Sequence, residues 1–204
     1  MRTEFPCAVA GAVWAMAVLL TAGPAQAQSQ NLLWCSGKDN ASNDQQISGC
    51  TALLQEGGHT REARAAQFYN RGLVHGRKGQ SERAIEDFTQ AIKLRPDYAA
   101  AYVGRGRQYV LKRQDDRAIQ DFSQAIKVEP NPPDNFAFFN RAGAYHRKGQ
   151  IDRAIQDYDR AILIDPDDAS ALYYRGNAKL GKGDSAGGNA DIAKANAIQP
   201  NIGK

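Results

Sequence analysis

One sentence recurs along this chain. RAIEDFTQAIKLRP at 83–96 returns as RAIQDFSQAIKVEP at 117–130 and as RAIQDYDRAILIDP at 153–166. A worn copy, GGNADIAKANAIQP, occupies 187–200. The copies start at residues 83, 117, 153 and 187, so they lie 34, 36 and 34 residues apart. A fixed period of this length marks a stack of helical units, each too small to bury its apolar face alone.

Residues 65–96 show what one unit contains. The first half, AAQFYNRGLVHGRKG, carries Phe68, Tyr69, Gly72 and Leu73; the second carries Ala84, Ile85, Phe88, Ala91 and Ile92. Spacings of one, three and four put each set on one face of a helix. Lys78-Gly79-Gln80-Ser81 separates the halves and offers a Gly stop and a Ser cap, Pro96 ends the second helix, and Asp97 is the expected cap of the next. Gly187-Gly188 is expected to weaken the last helix. Small residues recur where the two helices must meet: Gly72, Gly106, Ala142 and Gly176 in the first, and Ala84, Ala118 and Ala154 in the second. Phe88, Phe122 and Tyr158 fill the space beside that contact, and Ile192 stands there in the last unit.

These positions resemble the tetratricopeptide repeat, whose pattern places aromatic, Gly, aromatic, Ala, aromatic, Ala and Pro at fixed offsets. Phe68, Gly72, Ala84, Phe88, Ala91 and Pro96 match it in the first unit. Tyr102, Gly106, Tyr109, Ala118, Phe122, Ala125 and Pro130 match it in the second, and Phe138, Tyr145, Ala154, Tyr158, Ala161 and Pro166 in the third. The fourth keeps Leu172, Gly176, Ala195 and Pro200. The family's Leu position is Arg in every unit: Arg71, Arg105, Arg141 and Arg175. Asp87, Asp121, Asp157 and Asp191 recur with the same period, which predicts ion pairs across each helix pair, a structural role set against an anion-binding row. The resemblance covers residues 65–200. It implies an all-α, right-handed superhelical solenoid of four helix-turn-helix repeats, at 65–96, 99–130, 135–166 and 169–200, with a short tail at 201–204.

The N-terminus departs from the period. Residues 1–27 show a basic start at Arg2, an uncharged apolar stretch from Ala8 to Ala22 and the small-x-small site Ala25-Gln26-Ala27, the pattern of a cleaved secretory signal. The expectation is export to the periplasm or secretion, with no membrane span left after cleavage; the apolar stretch is shorter than the ~20 residues a span needs. Residues 28–62 read as a cap on the open end of the array, with one helix over 44–56 whose Ile47, Cys50, Leu53 and Leu54 share a face. Cys35 and Cys50 are the pair left in an oxidising compartment, which predicts a disulfide closing a short loop, worth about 3 kcal/mol in the chain-entropy account.

Chemistry-bearing motifs are scarce. His59, His75 and His146 have no partners at the spacing of a triad or metal site, and Gly104-Arg105-Gly106 falls inside a helix, where no phosphate loop forms. No catalytic residue, cofactor or metal is assigned. The net charge of +4 is spread over the chain without a basic run, which argues against nucleic acid.

In the resembling family the first helices line a concave groove. That resemblance assigns Tyr69, Val103, Phe139 and Tyr173 to one row, Asn70 and Asn140 to the next, Arg107 and Asn177 to a third, and Arg147 to a rim. Aromatic area and Asn amides suit an extended peptide or a partner helix. The expected function is non-catalytic protein–protein interaction. Self-association through the end faces is the alternative, with a small-ligand binder or enzyme behind it.

Overall fold

The computed structural model describes residues 24–130 and 135–203. The signal-sequence reading of 1–27 lies outside the described residues except for its last four, which open the first helix. Ten helices follow in order among the described residues: α1 Pro24–Cys35, α2 Asn43–Glu56, α3 Arg61–Arg77, α4 Ser81–Leu94, α5 Ala99–Leu111, α6 Asp115–Val128, α7 Phe136–Arg147, α8 Ile151–Ile164, α9 Ala169–Gly181 and α10 Ser185–Ile198. Each packs on the next, and the first helices of the repeats also touch one another, α3 on α5, α5 on α7 and α7 on α9.

The repeated small and aromatic residues form the core. Ala84, Ala118, Ala154, Ala91 and Ala161 are fully buried, and Phe88, Phe122 and Tyr158 lie beside them with at most 1 % of their surface exposed. Gly106 shows why these positions stay small. A Cβ built there would sit 2.8 Å from Cε1 of Phe122, inside any real contact distance. Gly188 stands where the other units have Ala. Its missing side chain lets α10 settle on α9 so closely that an added Cβ would lie 2.8 Å from the Gly176 carbonyl oxygen. The last helix runs a full 14 residues through both glycines. Glycine's low helix propensity is offset by the close packing it permits.

The connections correct two expected caps. Asp97 does not cap α5: the N-cap is Tyr98, without a side-chain hydrogen bond. Ser81 is the first residue inside α4, and Gln80 holds the cap position. Side-chain caps do form at Asp168 and Asp184, which accept from the Ala171 and Gly187 backbone N–H groups. The first helices end on left-handed residues, Gly79, Gly149 and Gly183, and on Arg113 at φ 59° where the second unit lacks the glycine.

The cap is a helical hairpin. α2 begins with a reciprocal box in which Ser42 and Gln45 satisfy each other's backbone N–H groups. α1 lies against it, so the segment before Cys35 is helical where the sequence predicted only incoming chain. Cys35 and Cys50 are disulfide-bonded with Cα atoms 4.5 Å apart, and with Leu53 they form a small buried cluster. No helix among the described residues is long and apolar enough to cross a membrane.

Candidate partner-binding groove

Two rows of ionic contacts fix the units in register and so set the shape of the groove. In the first row each repeat Arg grips the Asp of its own second helix through two nitrogens. The Nε and Nη2 distances are 2.9 and 2.8 Å for Arg71–Asp87, 2.8 and 2.8 Å for Arg105–Asp121, 2.7 and 2.8 Å for Arg141–Asp157, and 2.8 and 2.6 Å for Arg175–Asp191. The third nitrogen, Nη1, reaches back to the preceding unit, to Thr51, Thr89, Ser123 and Asp159 in turn, at 2.7–3.0 Å. Each guanidinium thus bolts its own helix pair and ties it to the one before. The row is engaged by the protein itself, which makes it structural and leaves no open anion site. Asp121's hydrogen bonds hold the Arg105 guanidinium above its usual range, and Asp191's do the same for Arg175. Asp191 itself is held below the usual carboxylate range. Burial pushes it up, but hydrogen bonds from Arg175 and Lys179 outweigh that.

The sequence did not predict the second row. Lys78, Lys112, Lys148 and Lys182 close the first helices and pair with Asp44, Glu82, Asp116 and Asp152 of the preceding unit. Their recurrence at one repeat position was the signal that could have revealed them. These pairs are exposed on the acid side, so water screens them and each adds little to stability.

Along the first helices a chain of linked recesses opens. The turn Cys35–Gly37, Gln46, Asn70, Leu73 and Arg77 bound one of about 320 Å³, so the disulfide-tied cap forms the wall at that end. Leu73 and Arg77 continue into the largest, about 470 Å³, with Arg107, Gln108, Leu111 and Asn140. Leu73 and Arg107 also border an apolar recess of about 310 Å³ with Tyr69, Val103, Ala125 and Phe136. Asn140 leads on to a recess of about 410 Å³ floored by Phe139, Tyr158 and Tyr174 and edged by Gly143, His146 and Arg147.

Seven of the nine residues assigned to the groove line these recesses: Tyr69, Asn70, Val103, Arg107, Phe139, Asn140 and Arg147. Tyr69 also packs on Phe88 and Tyr98, with ring centroids 5.9 and 5.0 Å away. Tyr173 and Asn177 line none of them. Tyr173 lies against Gly203 of the C-terminal segment, so close that a Cβ there would be 2.2 Å from the phenol oxygen. Its neighbour Tyr174, 46 % exposed, faces the groove instead.

The charges along this surface are matched at one end and not at the other. Arg147 is held by Asp115 Oδ1 at 2.6 and 3.0 Å. Arg77 donates to the neutral Gln46 amide at 2.8 Å. Arg107 is exposed and has no ion pair or hydrogen bond among the described residues, although Glu129 borders the same recess. Gln108 beside it is 8 % exposed with an unpaired amide oxygen, in a row that elsewhere holds Val74, Ala144 and Ala178. Among the described residues no three His, Cys, Asp or Glu side chains gather as metal ligands. His75 is buried, with its Nδ1 2.6 Å from the Gln80 side-chain oxygen and its Nε2 3.8 Å from Asp87.

Sequence profiles agree with this geometry. Residues 65–98 match the profile described as tetratricopeptide repeat, and 142–183 match one described as TPR repeat. The chain carries tetratricopeptide repeats. No curated protein matches it by sequence. Among solved structures, one described as MamA 41-end from Desulfovibrio magneticus RS-1 superposes on this TPR chain with a TM-score of 0.73 at 17% identity, covering 87% of this chain and 97% of that one. Another MamA crystal structure gives 0.71 at 22%, covering 82% and 94%. The hetero-tetramer of the APC/C proteins Cut9 and Hcn1 gives 0.67 at 21%, with 78% of this chain aligned to 31% of that one. At these identities the likeness establishes a solenoid fold and nothing about a ligand.

Proposed function

We propose that this TPR protein is a non-catalytic interaction scaffold of the periplasm, and that it holds an extended peptide or a partner helix along the concave face of its first helices. One observation carries the proposal. The continuous line of recesses from Asn70 to Tyr174 is edged by positions that vary between repeats, such as Leu73, Arg107 and Gly143, over a floor that includes the recurring Phe88 and Tyr158, while the recurring Arg and Asp are consumed in the ion-pair row. Repeated positions support the fold; the variable ones present chemistry to a partner. The Cut9–Hcn1 complex, similar in fold, is by its description an assembly of proteins. Export rests on the pattern of residues 1–27 and on the Cys35–Cys50 bridge, a bond suited to an oxidising compartment.

The test is capture from the periplasmic fraction with the tagged chain as bait, beside a variant carrying Val103→Glu and Tyr174→Glu, both checked for helicity by circular dichroism. A partner held by the first and lost by the second supports the groove. A partner held equally by both refutes it. N-terminal sequencing of the purified periplasmic protein is expected to begin at Gln28; recovery of the intact chain from the cytoplasm alone would overturn the assignment to the periplasm.

The exposed Leu32 and Leu33 on α1 and Ile198 on α10 favour a second reading, self-association through the two ends of the array. Light scattering after size exclusion is then expected to show mass rising with concentration, and Leu32→Glu to abolish the rise.

A further inference from the structure

Gly143, like Gly181 at the end of α9, is unlike the glycines packed inside the first repeat helices. A Cβ at Gly72, Gly104, Gly106 or Gly176 would come within 2.7–3.0 Å of a neighbouring side chain, so close packing excludes one there. At Gly143 an added Cβ would meet nothing nearer than Arg147 Nη1 at 3.7 Å and the Tyr158 hydroxyl at 3.9 Å. Packing therefore does not call for a glycine at this point. What the missing side chain does is open the recess of about 410 Å³ whose floor is aromatic. Tyr158 and Tyr174 stack there at 6.4 Å with 14° between their planes, and Phe139 leans on both at 5.9 and 6.0 Å. Leu73 and Arg107 occupy the corresponding position in the first two units, where the groove carries a side chain instead of a hole. A socket walled by ring faces and edges favours another planar ring, by offset or edge-to-face contact.

The next unit along supplies the opposite chemistry. Among the described residues Arg107, exposed at the groove, has no counter-ion, and Arg77 beyond it is bonded only to a neutral amide. The Gln108 amide oxygen, buried beside the same recess, has no hydrogen-bond partner among the described residues. The recess of Arg107 and the socket of Gly143 meet at Val110 and Asn140. We infer that the groove reads an extended peptide segment carrying an aromatic side chain for the Gly143 socket and an Asp or Glu, about three residues away, for Arg107. That separation follows from packed helices ~8–10 Å apart and an extended chain rising ~3.3 Å per residue.

This inference rests on the groove reading above, and its test separates the two. Fluorescein-labelled decapeptides of Gly and Ser, capped at both ends, would carry Phe and Asp three residues apart. Sibling peptides replace Phe by Ser, or Asp by Lys. Binding to the full chain would be followed by anisotropy. The Phe/Asp peptide is expected to bind at least about tenfold more tightly than either sibling. Gly143→Leu, which refills the socket, is expected to erase the preference for Phe and keep that for Asp. Arg107→Glu is expected to reverse the charge preference and keep that for Phe. Circular dichroism would confirm that both variants keep the wild-type fold. Absence of a joint Phe and Asp preference, binding only to a peptide with a free terminal carboxylate, or folded variants that leave both preferences unchanged would each overturn the inference. If the captured partner is lost with Val103→Glu and Tyr174→Glu but kept with Gly143→Leu and Arg107→Glu, the groove reading survives and this one fails.

Discussion

Breaking one member of the Arg–Asp row is expected to cost more than replacing both. Arg105 is the cleanest position. Its Nε and Nη2 each lie 2.8 Å from Asp121, and Nη1 lies 3.0 Å from Thr89 of the preceding unit. Asp121 is 5 % exposed. Arg105→Met therefore leaves a carboxylate sealed in the core with its charge uncompensated, a loss of about 3–5 kcal/mol. Asp121→Leu is gentler, about 1.5–3 kcal/mol, because the guanidinium side chain keeps 18% of its surface exposed and can turn toward water. The double variant removes both charges and fills the site with apolar volume. It is expected to fall within ~1 kcal/mol of the parent chain. Urea unfolding followed by far-ultraviolet circular dichroism measures all four proteins, with unchanged m-values required for the comparison. A repeat array can lose cooperativity, so amide exchange in α5 and α6 supplies a second reading of the same loss. Two results would refute the reasoning: Arg105→Met costing no more than an exposed pair, below ~1 kcal/mol, or a double variant equal to the sum of the singles within ~0.5 kcal/mol.

Three further outcomes follow from the geometry. Gly104→Ala places a Cβ 2.7 Å from Cζ of the buried Phe88 and is expected to destabilise by about 1–3 kcal/mol, whereas Gly143→Ala gains helix propensity and is expected to stabilise by up to ~1 kcal/mol; thermal melts of the two variants check the contrast. Reducing the Cys35–Cys50 bridge is expected to cost about 3 kcal/mol locally, seen as faster amide exchange in α1 and α2 with α5 to α8 unchanged. Asp191, whose pKa is lowered in the folded chain, contributes stability above its unfolded value of about 3.9 and loses it as pH falls through the folded value. Melting of the parent chain is thus expected to weaken below about pH 4 more steeply than that of Asp191→Asn.

How much of this was legible in the sequence depended on what repeats. Phe88, Phe122 and Tyr158 stand at one offset in successive units, and four Arg and four Asp keep the same period, so the core and the first ionic row could be read before any coordinates. α1 could not. PAQAQSQNLLWC has its apolar residues only at the end, and the helix leans on α2 and the disulfide for support its own pattern does not announce. Caps were misplaced because Asp97 and Ser81 have the right chemistry one residue from where the backbone turns into the helix. Tyr173 and Tyr174 are adjacent, and a helix carries neighbours about 100° apart, so only the path of the C-terminal segment decided which one stayed open to the groove.

The same division explains why the groove resists reading by period. Tyr69, Val103, Phe139 and Tyr173 hold equivalent positions, as do Leu73, Arg107, Gly143 and Asn177; the first row repeats only Tyr and the second repeats nothing. A position that packs between units meets the same neighbours each time and is held to one solution, Ala beside Phe or Arg beside Asp. A position on the concave face is held less tightly: Tyr69 meets Phe88 and Phe139 meets Tyr158 at the same 5.9 Å, yet Val103 holds the equivalent place in the second unit. On the proposed function its side chain answers to a bound segment, which differs from one repeat to the next along its length. An array whose groove served only to separate units would have no reason to place a hole at Gly143 next to an unpaired charge at Arg107. The irregularity itself, laid over a regular core, is the feature that points to a single extended partner read in one register.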